Sequence, residues 1–523
     1  MSKQKNMNID QLLKAEGQKT VDKMLVWVLA FALAVIPLLT RTAIFEFQAP
    51  LITGTSLDSG VKAEVYTYYK FIWLIIVVIV ISCLFLYKMI AKAYEIPKSY
   101  IHIPLAIMFV FLLASGLFAD YKTLSMFGQY NRHEGTITYI GYLVLFFVAA
   151  NILYNEKSIK TLVYALTPLL LANAFLGLAY FFGYDVLKNA FFRGILLPAG
   201  LTEESIGAGA YFNSTINNPN YVSGIAGVLT VLFLTKAVFA KVFRQRVFDL
   251  VLAAVAFAML LASLSTSGFV TFVVLLPFIV VAIFFSGKRK QASVTLISGL
   301  VLFSLIFVGM YSYNSKVWDE SIGFFVGKSK NRIEEKTAAS FGWKELYEAH
   351  TPFAVNKVYA ANESSDEFQE FQLPPAQWSA GTGRVYIWSE TLKLIEKRPL
   401  LGYGMDTYPY YFPQDDPNKN SGINNANTIV DKPHNMYLNL AYGAGFIALA
   451  AFLVLIVRYL WYGIRTFKER INTEESALFM SIFLGLCAYL VQGMFNDSII
   501  GTAFIFWIFL GVGVSMLRKK VEG

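Results

Sequence analysis

Of the four histidines in 523 residues, one stands in "DKPHNMYLNLAYGAGF", Asp431 to Phe446, where a long polar segment turns into an apolar run. An imidazole titrates near neutrality, so His434 at a wet membrane edge can take up or release a proton under ordinary conditions. Upstream, "SAGTGR" precedes a stretch with helical periodicity. Its glycines leave N–H groups uncovered at the helix start, and Arg384 adds a planar fork of donors beside Gly383. That combination suits a phosphate or pyrophosphate. The same residue types also make a plain helix-starting histidine and an ordinary glycine loop with a surface arginine, so the surrounding chain has to decide.

The chain is 56% hydrophobic, 16% aromatic and only 15% charged, far from a soluble average. Apolar runs of bilayer length predict an all-α polytopic membrane protein with about twelve spans. They are expected near 24–44, 71–91, 101–118, 136–154, 161–182, 221–240, 248–266, 269–286, 293–313, 436–457, 476–494 and 498–516. The pair around "SLSTSGFV" also reads as one broken helix. The implied organisation is an N-terminal segment 1–23, helices over 24–313, a large loop 314–435, helices over 436–516 and a tail 517–523.

Lysine and arginine recur in alternate connections: Lys88, Lys92 and Lys98; Lys157 and Lys160; Lys236, Lys241, Arg244 and Arg246; Lys288, Arg289 and Lys290; Arg465, Lys468 and Arg470; and the tail from Arg518. Basic short loops stay cytoplasmic, which places both termini inside and the 314–435 loop outside. The net charge of +9 then reflects topology and an anionic leaflet of membrane lipids, with no nucleic acid implied. Cys83 and Cys487 fall inside spans, so no disulfide framework or thiolate metal site follows.

The candidate chemistry sits in the outward segments. "NRHEG" places Arg132, His133 and Glu134 just before a span, and "DVLKNAFFRGILLPAG" reads as an interfacial helix with Phe191 and Phe192 beside Lys188 and Arg193. "NNPN" is a turn leading into the next span at Asn220. In the large loop, "NRIEEKTAASFGWKELYEAH" and "GRVYIWSETLKLIEKRPLLGYG" both carry helical periodicity. The second should present Val385, Trp388, Leu392 and Ile395 on one face and stop near Arg398–Pro399 and Gly402. "FPQDDPNKNSGINNAN" is rich in Asp and Asn but lacks the spaced ligands and closing Glu of a calcium loop, so no metal site is expected.

The order "NRHEG", "NNPNYVSG", "GTGRVYIWSETLKLIEKRPLLGYGMDTYPYYFP" and "KPHNMYLNLAYGAGFIAL" resembles the O-antigen ligase and O-antigen polymerase superfamily over roughly residues 100 to 460. The resemblance implies a glycosyltransferase of the bacterial cytoplasmic membrane. It would move a glycan from an undecaprenyl-diphosphate carrier to a glycan, lipid or protein hydroxyl on the outer face, without a nucleotide sugar, cofactor or essential metal. It also implies His434 as the catalytic histidine, with Arg384 and Arg132 as basic contacts to the lipid diphosphate; Gly383, Asn220, Asn435 and Arg193 stand beside them in the sequence as further candidate substrate contacts. Many family members carry Ser-Arg-Gly at the outer end of a middle span, where this chain has Ser267 in "LSTSGFV"; Arg193 or Lys188 would have to supply the missing charge.

Chemically, arginines can neutralise a departing diphosphate, and a neutral imidazole can deprotonate the attacking hydroxyl. Direct attack inverts the anomeric centre; a covalent route needs a placed carboxylate, for which the sequence offers no strong candidate. Ligase, polymerase and protein O-oligosaccharyltransferase share this chemistry. A lipid-linked glycan transporter would instead show charges at mid-bilayer depth or two repeated halves, and a scaffold would leave the Arg/His arrangement without a use.

Overall fold

A computed structural model describes residues 9–50, 54–198, 212–326, 383–420, 429–466 and 473–522. The expected spans overlap apolar helices, although 161–182 crosses two, Glu156–Tyr164 and Thr167–Phe181, and 24–44 runs past its helix into the strand Ala43–Phe47. Nine helices of the described residues are long and apolar enough to cross a membrane: Lys14–Leu38, Tyr68–Ala91, Glu156–Phe181, Pro219–Phe239, Phe243–Ala262, Thr266–Phe284, Arg289–Tyr313, Met436–Thr466 and Glu474–Gln492. His102–Phe118, Thr136–Ala150 and Ala503–Arg518 are shorter apolar helices. The "SLSTSGFV" segment is not one broken helix: Phe243–Ala262 and Thr266–Phe284 are separate, with Leu264 in the left-handed region between them (φ 47°).

Burial sorts the helices. Pro219–Phe239 is buried on all sides from Val222 onward. Arg289–Tyr313 instead exposes Val294, Ile297, Val301, Leu305 and Val308, an apolar stripe that only hydrocarbon can cover. Two buried ion pairs tie helices together far from the candidate chemistry. Lys88 donates to Asp22 at 2.7 Å and to the Asn151 carbonyl. Lys236 meets Asp249 at 2.7 Å, and Asp249 also accepts from the Tyr164 hydroxyl. A carboxylate partner of this kind offsets the cost of burying a charge.

The first helix runs unbroken over Ile9–Val35, and its Asp22 pairs with Lys88 inside the bundle. The structure departs from the expected pattern in two places. The fold is not purely helical: Ala43–Phe47 pairs antiparallel with Gly60–Glu64, and the hairpin's Phe45 stacks on Tyr68 at 5.1 Å. The helix Arg384–Lys397 ends where expected, but it buries Tyr386, Ile387, Thr391 and Leu394, while Val385 and Leu392 are exposed. The reason is a polar contact that apolar periodicity ignores: Thr391 Oγ1 shares a 2.7 Å hydrogen bond with the Tyr408 hydroxyl. The expected helix in 331–350 lies outside the described residues.

The helix Met436–Thr466 carries a kink at Gly445 (φ 85°, ψ 167°). A Cβ there would fall 2.0 Å from the Leu400 carbonyl oxygen, so only glycine permits the approach. The kink frees Phe446 N–H to donate to the Pro399 carbonyl at 2.7 Å, while Tyr403 and Gly404 donate to the carbonyls of Tyr442 and Gly443 at 2.9 and 3.0 Å. "RPLLGYG" and "AYGAGF" thus clasp each other backbone to backbone.

Candidate active site

His434 sits immediately before the helix Met436–Thr466, in the left-handed region at φ 51°. A non-glycine residue held there is strained and requires its surroundings to fix it. They do: Nδ1 lies 2.9 Å from Asp497 Oδ2, in the short segment between helices Glu474–Gln492 and Ala503–Glu522. Asp497 also accepts from the Tyr221 hydroxyl at 3.2 Å. With a carboxylate on Nδ1, the neutral ring carries its proton on that nitrogen and keeps the Nε2 lone pair for a ligand. Burial disfavours charge on the ring, but the charge and hydrogen bond of Asp497 outweigh it, and the His434 pKa is raised. Burial would raise the Asp497 carboxyl, yet His434, Lys432 and Tyr221 bring it down to about 2.

Arg384 opens its helix behind Gly383, whose φ of 80° turns the chain into the first turn. Trp388, one turn on, donates Nε1–H to the Pro433 carbonyl at 2.8 Å and so fixes this helix against the residue preceding His434. Arg384 and Asp497 are close enough for each to feel the other's charge; burial lowers the guanidinium pKa and Asp497 opposes that. Arg384 Nε is buried and has no partner among the described residues. A buried, unpaired N–H on a cation fits an anionic ligand.

A cleft of about 140 Å³ adjoins His434, walled by Lys70, Arg132, Glu134, Asp431, Lys432 and Tyr221 among others. Its cations are mostly spoken for. Arg132 donates Nε–H to Asp406 at 2.7 Å and Nη1–H to Asp431 at 2.5 Å, and these carboxylates raise its pKa against the pull of burial. Lys432 pairs with Glu134 at 2.5 Å, and Glu134 also accepts from Ile500 N–H at 2.9 Å. Burial lifts the Glu134 carboxyl to about 7 despite Lys432. Lys70 Nζ donates to the carbonyls of Leu39, Tyr66 and Thr215, stitching three segments together. The second histidine of the neighbourhood, His133, is buried, stacked on Phe71 at 5.2 Å, and driven by burial down to about 4. It is neutral and enclosed; His434, with a side chain 34% exposed, is the accessible imidazole.

The structure therefore brings His434, Gly383, Arg384 and Arg132 to one end of the bundle, and it shows the surroundings of the other expected contacts. Arg132 is held between two carboxylates and keeps a buried Nη2 with no partner among the described residues. Asn435 caps the following helix: its Oδ1 accepts from Tyr437 and Leu438 N–H, and its Nδ2 donates to the Met494 carbonyl. Asn220 is turned to the bundle, accepting from Ser265 Oγ at 2.6 Å, and the neighbour that reaches the site is Tyr221. Arg193 is exposed on the helix Ala190–Leu196 and is not part of the cleft wall. Ser267, where an arginine was expected, bonds the Asn220 carbonyl and the Asn496 amide.

Asp497, Asp406 and Asp431 went unread because their partners are remote in sequence; for Asp497 the only signal was an ionisable residue in a stretch of three polar residues between apolar runs. Among the described residues no three His, Cys, Asp or Glu side chains gather to hold a metal ion.

Fold and site together define a multi-pass membrane protein with a charge-lined cleft at one end of its helices, where a His–Asp pair adjoins a buried arginine. Residues 251–453 match the family model described as O-antigen ligase. That span takes in Ser267, Gly383, Arg384, His434 and Asn435; Arg132, Arg193, Asn220 and Asp497 lie outside it. The chain is 28% identical over 136 residues to a protein of Rickettsia prowazekii (strain Madrid E) named as a candidate polysaccharide ligase. It is 27% identical over 136 residues to a like-named protein of Rickettsia typhi (strain ATCC VR-144 / Wilmington). Each match covers 26% of this chain and 31% of the relative.

Proposed function

We propose that this protein is a glycosyltransferase of the bacterial cytoplasmic membrane that moves a glycan from an undecaprenyl-diphosphate carrier to a hydroxyl acceptor on the outer face. The observation that carries the reading is the His434–Asp497 pair beside Arg384, whose Nε has no partner among the described residues. The family domain and the names of the Rickettsia proteins support the class of reaction. The concentration of lysine and arginine in alternate connections supports the orientation.

His434 Nε2 takes the acceptor's hydroxyl proton as the oxygen attacks the anomeric carbon. The bond from that carbon to the phosphate oxygen breaks, and the diphosphate leaves with the electron pair. Asp497 stabilises the imidazolium as it forms. Arg384, with the N–H groups of its helix start behind Gly383, takes the growing phosphate charge. Attack from the face opposite the leaving group inverts the sugar. Arg132 and Asn435 act by shaping the cleft, through Asp406 and Asp431 in one case and the helix cap in the other. The acceptor is assigned only as a hydroxyl, common to a lipid core, a growing glycan, a wall polymer and a protein side chain.

The test is transfer by purified protein from a synthetic undecaprenyl-diphosphate glycan. His434→Ala should still bind the donor while transfer falls by a factor of roughly 10² or more, the usual contribution of a positioned base. Near-normal turnover in that variant would overturn the base assignment. Flipping of the labelled lipid by the wild type, with no transfer, would make the protein a carrier.

A further inference from the structure

At the opposite end of the bundle from His434, the ends of helices Phe243–Ala262 and Arg289–Tyr313 line an open surface cavity of about 530 Å³. The helix Pro219–Phe239 runs between the two sites, from Tyr221 beside Asp497 to the Ala240 carbonyl that Arg246 bonds at 3.3 Å. Its 21 residues make the separation about 30 Å, one hydrocarbon thickness.

The lining is one-signed. Arg246, Lys288, Arg289 and Lys290 contribute, and no residue in the lining is acidic. Arg246 Nε is buried without a partner among the described residues, although its Nη2 is engaged by Ala240. Lys88 and Lys236, by contrast, each have a carboxylate at 2.7 Å. Four cations held together with an unfilled donor call for an anion.

The surface next to the cavity says which kind. From Val294, at the cavity wall, exposed Val294, Ile297 and Val301 continue along one face of their helix. Exposed Phe243, Val247 and Val251 do the same on the other helix. Spacings of three and four residues keep each set on one side. A cationic pocket opening onto two apolar stripes matches a molecule with a phosphate at one end and two hydrocarbon chains at the other. Free phosphate or a nucleotide would use the cations and leave the stripes without a role.

We propose that this cavity binds the headgroup of an anionic phospholipid, with its acyl chains along the two stripes, in the leaflet opposite the His434 cleft. Each basic residue near an anionic lipid contributes about fivefold in affinity, so Arg246→Gln/Arg289→Gln should weaken binding roughly 25-fold.

The experiment titrates purified full-length protein in detergent with phosphatidylglycerol, phosphatidylcholine or inorganic phosphate and counts bound molecules by native mass spectrometry. The wild type should bind phosphatidylglycerol well above phosphatidylcholine, and the pocket variant should lose that preference. Lys241→Gln/Arg244→Gln removes the same charge from exposed positions nearby and should keep it. Because Arg246→Gln also breaks the bond to Ala240, Lys288→Gln/Lys290→Gln repeats the test with two exposed side chains. Equal weakening in the pocket and control variants would overturn the site, as would wild-type binding of phosphatidylcholine as tight as phosphatidylglycerol. Inorganic phosphate competing at the same concentration as the lipid would overturn the lipid as occupant.

Discussion

Asp497 Oδ2 lies 2.9 Å from His434 Nδ1 although 63 residues separate them along the chain. The two come from the starts and ends of different helices, so the pair exists only in the folded bundle. It converts an isolated histidine into a base with a defined tautomer and a raised pKa.

A pH profile tests that coupling. The base form of His434 accumulates only above its raised pKa, so transfer should rise with pH along a limb set by this group. In Asp497→Asn the burial remains and the charge is gone; the limb should move to lower pH and the maximal rate should fall by roughly 10². An unmoved limb would separate the two residues functionally. Stability follows the same linkage. The raised His434 pKa gives stabilisation that is full below the ordinary imidazole value and lost as pH rises through the raised one. The lowered Asp497 pKa gives stabilisation present above the ordinary carboxylate value and lost as pH falls toward about 2. The wild type should therefore exceed Asp497→Asn most clearly in thermal unfolding near about pH 5, and less at alkaline pH.

Arg384→Lys keeps the charge but loses the planar fork and the buried Nε–H. Losing one charge-assisted hydrogen bond should cut transfer by roughly 10-fold to 100-fold. Full activity in the lysine protein would reduce Arg384 to a point charge.

Arg132→Gln should act on stability before chemistry. It strips Asp406, with a side chain 1% exposed, and Asp431 of their shared cation. Breaking a buried pair from one side costs about 3–5 kcal/mol, visible as a lower unfolding midpoint in detergent. A variant of normal stability with collapsed donor affinity would return Arg132 to the substrate contacts.

Reporter fusions check the orientation. A fusion within 350–380 should be active outside the cell and one within 240–247 inside. Reversal of either would put the cleft on the cytoplasmic side and exclude the proposed acceptor geometry.

Hydropathy reached the nine helices that, among the described residues, are long and apolar enough to cross a membrane, since each such run is legible by itself. It also reached the Gly383–Arg384 helix start and the His434 edge, because glycine, arginine and histidine keep their chemistry wherever the fold puts them. The carboxylates were harder. Asp406, Asp431 and Asp497 look like loop residues in the sequence, and only tertiary contact makes them partners of Arg132 and His434. The buried face of Arg384–Lys397 was misjudged for a related reason: Thr391 is counted as polar, yet its hydroxyl is satisfied by Tyr408 deep in the cluster. The hairpin Ala43–Phe47 with Gly60–Glu64 gave no signal because each strand has only five residues.

The clasp between "RPLLGYG" and "AYGAGF" uses main-chain atoms only and joins segments that both lie C-terminal to Arg384. Because its bonds run main chain to main chain, side chains along both segments can change while the approach of the two segments beside Arg384 and His434 is kept. The position that cannot change is Gly445, where any Cβ would strike the Leu400 carbonyl and part the two segments.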